Sequence, residues 1–162
     1  MAPGGSMDNC DRQNPRNARY LNWIDMYGPA AASVAAGLKT SEENILGLSA
    51  IESAWGQGPF ARDGRNNFFS LHYPSPLSTG FVTTADGKVK VSTYLNFASS
   101  AKAFAVAYGH LVTGQPSAHT FAASLQNAGK YGINRDGTKV PSFVPDVMSV
   151  ASGFEERLKC GR

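Results

Sequence analysis

Residues 43–72 read ENILGLSAIESAWGQGPFARDGRNNFFSLH, and one glutamate among them stands where a helix normally places carbon. At about 100° per residue, Ile45, Leu48, Ile51 and Trp55 share one apolar stripe, and Glu52 falls inside it. A carboxylate held against apolar walls is costly to ionise, so its pKa rises. That is how a glutamate becomes a general acid near neutral pH. The alternative is a buried structural glutamate paired with Arg62 or Arg65, and periodicity alone does not choose between them.

Downstream, Trp55-Gly56-Gln57-Gly58-Pro59 ends the helix, with Gly56 suited to the left-handed position that follows a helix. Asn66-Asn67-Phe68-Phe69-Ser70-Leu71-His72 follows a glycine-marked turn. A pyranose ring has an apolar C–H face and a polar rim, so aromatic rings flanked by amides suit a glycan groove. Trp55, Gln57, Asn67, Phe68, Phe69 and His72 are the candidate sugar contacts. The competing reading makes Phe68 and Phe69 core residues and His72 a structural histidine.

The rest of the chain reads as helices around one β-ribbon. Residues 1–18 are polar and read as an arm, and 19–162 as a single domain, the size one core serves well. Pro29 suits the first turn of a helix running to about Ala36. Thr40-Ser41-Glu42-Glu43 fits a capping box opening the Glu52 helix. Residues 79–97 alternate around Asp86-Gly87, predicting a two- or three-strand lobe. Ser99 or Ser100 caps a helix burying Ala101, Phe104, Ala105, Tyr108, Leu111 and Val112. A shorter helix, 120–128, ends at Gly129, and a last one after Ser142 carries Val147, Met148, Ala151, Phe154 and Leu158 on its stripe. The predicted class is α+β, mainly α, with a small β-hairpin lobe.

Composition removes several function classes. Charged residues are 17% of the 162, with a formal net charge of +3 and no basic run, which argues against a nucleic-acid reader. No apolar stretch approaches the ~18 residues of a membrane span. His72, His110 and His119 are scattered and no zinc-ligand spacing occurs, so neither a metal nor another cofactor is expected. Ser53 lacks a histidine at a useful spacing, which argues against a serine nucleophile. Asp63 reads as a turn residue and only secondarily as a base. Cys10 and Cys160 lie near opposite ends, either as free thiols or as one bridge. Such a bridge would form in an oxidising compartment and stabilise by about 5 kcal/mol in the chain-entropy model.

From about Trp23 to Leu158 the chain resembles the endo-β-N-acetylglucosaminidases of glycoside hydrolase family 73, which cleave peptidoglycan. The family's "ALES-x-WG" helix corresponds to Ser49-Ala50-Ile51-Glu52-Ser53-Ala54-Trp55-Gly56, and its "NN-L/I-F-G-I-K" to residues 66–72. Tyr27-Gly28-Pro29-Ala30-Ala31 resembles its first helix, Tyr94–Ser100 its strand-to-helix join, and Leu125–Tyr131 its "L-x-x-A-G-Y" element. The resemblance implies a lysozyme-like fold, Glu52 as the acid, and Tyr131 in the cleft, positioning the substrate's N-acetyl group. The alternative for Tyr131 is a packed aromatic at a turn.

There are departures. The family's glycine after Phe is Ser70, its lysine is His72, and Lys130 is inserted before the tyrosine. Family members often carry a second carboxylate in the β-lobe, and Asp86 is the one acid within 79–97. Asp-Gly is also a strong hairpin signal, so Asp86 is either a water-activating base or a turn residue. If it is only a turn residue, the substrate's 2-acetamido oxygen can attack instead.

The expected function is therefore peptidoglycan glycan-strand hydrolysis. A muramidase or lytic transglycosylase and an inactive wall-binding module are the alternatives. The N-terminal residues lack the apolar core of a secretory signal. A bare muralytic domain of this kind resembles an antibacterial effector of type VI secretion, acting in a rival's periplasm and blocked by an immunity protein. A phage endolysin is the other context.

Overall fold

The computed structural model describes residues 8–161. Its elements are helix α1 (Pro15–Leu38), helix α2 (Glu42–Glu52), strands β1 (Gly80–Thr83) and β2 (Lys90–Thr93), helix α3 (Phe97–Tyr108), a 3₁₀ turn at Gly109–Leu111, helix α4 (Ala118–Asn127) and helix α5 (Phe143–Leu158). The class is α+β and mainly helical, as the patterning predicts. No helix among the described residues is long and apolar enough to cross a membrane.

The first helix begins well before the expected start at Pro29. Asn14 caps it, accepting from the Arg16 amide at 2.9 Å, and Pro15 occupies the first turn. Pro29 is interior, where a proline forfeits one backbone hydrogen bond. Burial on both sides offsets that loss, through Tyr20, Trp23 and Ile24 before it and Ala31 and Ala35 after it.

The polar-arm reading also fails for the described part of 1–18; residues 1–7 lie outside the described residues. Asn17 is buried and donates to the Asp8 and Asp11 carbonyls. Its Oδ1 accepts from Arg157 Nε and Nη2 at 3.0 and 2.8 Å, and Arg157 lies over the Tyr20 ring. A disulfide joins Cys10 to Cys160, whose Cα atoms are 5.5 Å apart. The two ends of the fold are thus fastened together.

Two caps differ from expectation, with serine hydroxyls turned to other acceptors within reach. Ser41 precedes α2 without capping it and donates to the Pro116 carbonyl at 2.8 Å. Asn96 caps α3 through the Ser99 amide, while buried Ser100 bonds the Phe97 carbonyl. Ser117 caps α4, which starts two residues early. On α5, Val147, Ala151 and Phe154 are buried as expected, but Met148 is 41% exposed.

The sheet is one antiparallel hairpin, pairing Gly80 with Thr93 through Thr83 with Lys90. A single bridge between His72 and Val91 stands where a third strand would run. The core is strongly aromatic: Trp23, Phe68, Phe69, Phe97, Phe104, Phe121 and Phe154 are all buried. Helix α2 runs through its middle, with every residue from Asn44 to Ala50 buried. A cavity of about 530 Å³ between α1 and α3, lined by Ala30, Val34, Leu38 and Val106, carries no acid or base beyond Lys102.

Candidate active site

Glu52 is the last residue of α2. The apolar stripe inferred from sequence is not what buries it: α2 is covered on nearly every side, and Trp55 lies beyond the helix. Burial comes from position, at the point where a core helix reaches the surface. Desolvation raises the Glu52 pKa, with a hydrogen bond from Ser70 opposing the rise. The free carbonyls at the helix C-terminus also disfavour the ionised form.

No cation among the described residues lies within ion-pair distance of Glu52. Arg62 pairs with Asp63 at 3.5 Å, and Arg65 donates to the Pro59 carbonyl at 2.6 Å. The structural-pair alternative is removed. The upward push on Glu52 comes from burial, not from a second carboxylate.

Beyond Glu52 the chain turns abruptly. Ala54, Trp55 and Gly56 have φ of 49°, 54° and 81°, so the left-handed turn starts two residues before the glycine. Each non-glycine residue in that region costs roughly 1–2 kcal/mol. Ser53 braces the turn: its Oγ donates to the Ser49 carbonyl at 2.6 Å and accepts from the Gly56 amide at 3.0 Å. The Trp55 amide returns to the Ala50 carbonyl at 2.7 Å. This turn separates the two residues the motif joins. Trp55 packs edge-on against Tyr20 and Trp23 and tilted on Phe154, with the Arg19 guanidinium 4.0 Å from its ring centroid. Trp55 is therefore a packing residue rather than a sugar platform, and Gln57 sits exposed in the turn.

Asn67, Phe68 and Phe69 are likewise scaffold. Asn67 is 2% exposed; its Nδ2 donates to the Leu71 and Ser92 carbonyls, both at 2.9 Å, and its Oδ1 accepts from the Phe69 and Leu71 amides. No bonding capacity is left over for a sugar. Phe68 packs on Trp23, Tyr27 and Phe97, and Phe69 on Phe97 and Phe104. His72 is exposed on the lobe.

Tyr131 is buried, near enough to Glu52 to feel its charge, and its hydroxyl donates to the Phe69 carbonyl at 2.6 Å. Burial, then the Glu52 charge, then Tyr108 and Tyr94 drive its pKa well up, so the phenol stays protonated. Its hydroxyl proton is committed to the loop. Gly132 follows at φ 65°, where a Cβ would lie 2.4 Å from the Phe143 ring, so this turn requires glycine.

Asp86 does not join Glu52. It is the exposed corner of the hairpin, with Oδ1 accepting from Thr84 Oγ1 at 2.6 Å and the Lys88 amide at 3.0 Å. Its Oδ2 pairs with Arg135 at 3.3 Å. These bonds, Thr84 foremost, lower its pKa, which makes it a weak base. Ser70 is the residue sequence reasoning left out of the site. It sits at φ 52° with its Oγ donating to the Glu52 main-chain carbonyl at 3.3 Å, close enough to the Glu52 carboxylate to lower its pKa. The available signal was a serine where the resembling family has glycine.

The site is thus one desolvated acid, a hydroxyl on it, and a phenol holding the loop between them. No family profile and no curated protein matches the chain. Among solved structures, it is similar to a chain of a type VI secretion system effector–immunity complex from Pseudomonas protegens. That match has 32% identity and TM-score 0.74, covering 88% of this chain and 95% of that one. A peptidoglycan hydrolase from Sphingomonas sp. A1 matches with 24% identity and TM-score 0.64 over 85% of this chain and 92% of that one. The glycoside hydrolase domain of Salmonella typhimurium FlgJ matches with 19% identity and TM-score 0.62, over 84% and 88% respectively. The chain therefore belongs to the family of the Pseudomonas protegens protein, and it shares its lysozyme-like fold with the Sphingomonas peptidoglycan hydrolase and the Salmonella glycoside hydrolase domain.

Proposed function

We propose that this protein cleaves the β-1,4 glycan strand of peptidoglycan on the reducing side of N-acetylglucosamine, with Glu52 as general acid. The observation that carries the reading is Glu52 itself: desolvated, without a cation among the described residues, and placed where the central helix ends. Its proton passes to the glycosidic oxygen as the C1–O bond breaks, and that bond's electron pair leaves on the oxygen as a new hydroxyl. The positive charge developing at C1 is met by the substrate's own 2-acetamido oxygen, forming a cyclic oxazolinium. Water then adds to C1 as the C1 bond to the acetamido oxygen breaks and its electron pair returns to the acetamide; the water loses a proton to the Glu52 carboxylate, restoring the acid. Substrate assistance is a recognised exception to the two-carboxylate scheme. It is favoured here because both oxygens of Asp86 are already bonded.

The biological setting we infer is that of an antibacterial effector acting in a rival's periplasm, with an immunity protein as its partner. The support is the 32% identity to a chain of an effector–immunity complex, together with a disulfide suited to an oxidising compartment. Digesting purified sacculi and weighing the released muropeptides tests the chemistry. Reducing-end N-acetylglucosamine is expected. Reducing-end N-acetylmuramic acid would assign a muramidase instead, and its anhydro form a transglycosylase.

A further inference from the structure

Ser70 occupies a position that a serine takes up only under strain. Its φ of 52° lies in the left-handed region, where a side chain crowds its own backbone and glycine does not. The loop gives it no freedom to relax. Asn67 Oδ1 accepts from the amides on either side, Phe69 at 3.3 Å and Leu71 at 3.1 Å. Tyr131 holds the Phe69 carbonyl at 2.6 Å, which fixes the peptide entering Ser70. The hydroxyl so positioned reaches one residue, Glu52, through its main-chain carbonyl at 3.3 Å. Non-glycine residues are kept in such conformations where the surroundings over-determine them, and they cluster at functional sites.

We propose that Ser70 is a positioning residue for the acid: its single hydroxyl proton moves between the Glu52 carbonyl and the Glu52 carboxylate as Glu52 changes protonation state. This rests on the general-acid reading of Glu52. While Glu52 is protonated, its carboxyl needs no donor and the Ser70 proton stays on the carbonyl. Once Glu52 has given its proton to the leaving oxygen, the new carboxylate is a stronger acceptor and the hydroxyl turns to it. The conjugate base is then stabilised at the moment it forms, without a permanent cation that would keep Glu52 ionised. Burial and Ser70 act on Glu52 in opposite directions, so a buried acid is kept weak enough to be loaded and strong enough to discharge. Tyr131 and Asn67 act one step further out by holding the loop.

The test compares Ser70→Gly and Ser70→Ala with the parent. Both remove the hydroxyl; glycine is at ease at φ 52°, whereas alanine retains the strain. In both variants the alkaline limb of the pH–activity profile should move to higher pH, because the ionised acid has lost a donor. At a fixed pH on that limb, each variant should keep about two- to tenfold more of its own maximal rate than the parent keeps of its own. The NMR titration of the Glu52 side-chain carbon should move the same way, and that readout needs no turnover. An unmoved titration in Ser70→Gly overturns the proposal, as does an effect confined to Ser70→Ala, which would make Ser70 a matter of backbone strain. Failure of the acid reading has a different signature: Glu52→Gln would stay active whatever the titration shows.

Discussion

Glu52 and Asp86, the two carboxylates that the motif and the hairpin bring forward, are near-opposites. Glu52 ends a core helix, has no cation beside it among the described residues and is pushed upward by desolvation. Asp86 is an exposed turn residue, with two donors on one oxygen and an arginine on the other, and is pushed downward. The same chemical group is pushed toward its protonated form in one place and held ionised as a turn clasp in the other. What separates them is burial on one side and donated hydrogen bonds on the other.

The largest test of that contrast is Glu52→Gln. The amide is nearly isosteric but has no proton to give, so release of muropeptides should fall by about 10²–10⁴-fold or more. Near-parental lysis would break the contrast outright. Tyr131→Phe comes next. It leaves the buried Phe69 carbonyl without its donor, and chemical denaturation should show a loss of about 1–3 kcal/mol. An unchanged denaturation midpoint would mean that the loop beside Glu52 does not depend on this bond.

The third test reads stability against pH. A group whose folded pKa is raised contributes stability that is complete below its unfolded value and is lost as pH climbs through the folded one. Glu52 is such a group, so its ionised form weighs against the native state. Glu52→Gln should melt close to the parent in acid and increasingly above it as pH rises. A melting difference that is flat across pH would contradict the burial argument. The smallest effect belongs to Asp86→Asn. Asparagine suits the same Asn-Gly turn, and the pair it gives up with Arg135 is exposed. Melting temperature and turnover should stay at parental levels; a loss on the scale of Glu52→Gln would restore a two-carboxylate mechanism.

Much of this was legible in the residues, though for uneven reasons. The hairpin followed from Asp86-Gly87, and the last helix from the spacing of Val147, Ala151 and Phe154. Glu52 stood out by its apolar context, although the stripe argument misplaced the cause and wrongly put Trp55 on the same helix. Two successive non-glycine residues with positive φ leave no compositional trace, so the turn separating Glu52 from Trp55 was hidden. Asn67 was misread for a related cause: an asparagine that satisfies four backbone groups has the same letter as one that waits for a sugar. Pro29 was read as a helix start because local propensity favours that, and tertiary burial of the preceding turns overrode it. Ser70 escaped because its importance lies in a dihedral angle.

The bridge between Cys10 and Cys160 makes the chain a ring in all but its backbone. With their Cα atoms 5.5 Å apart, a few added residues linking position 160 to position 10 would replace the bridge by main chain. A circular permutant joined there would carry new ends at an exposed loop tip, and the hairpin corner at Ala85–Gly87 offers one far from the core packing. Such a molecule would keep the order of its helices in space while starting its synthesis in the β-lobe. The order in which these elements are made is therefore incidental to this architecture.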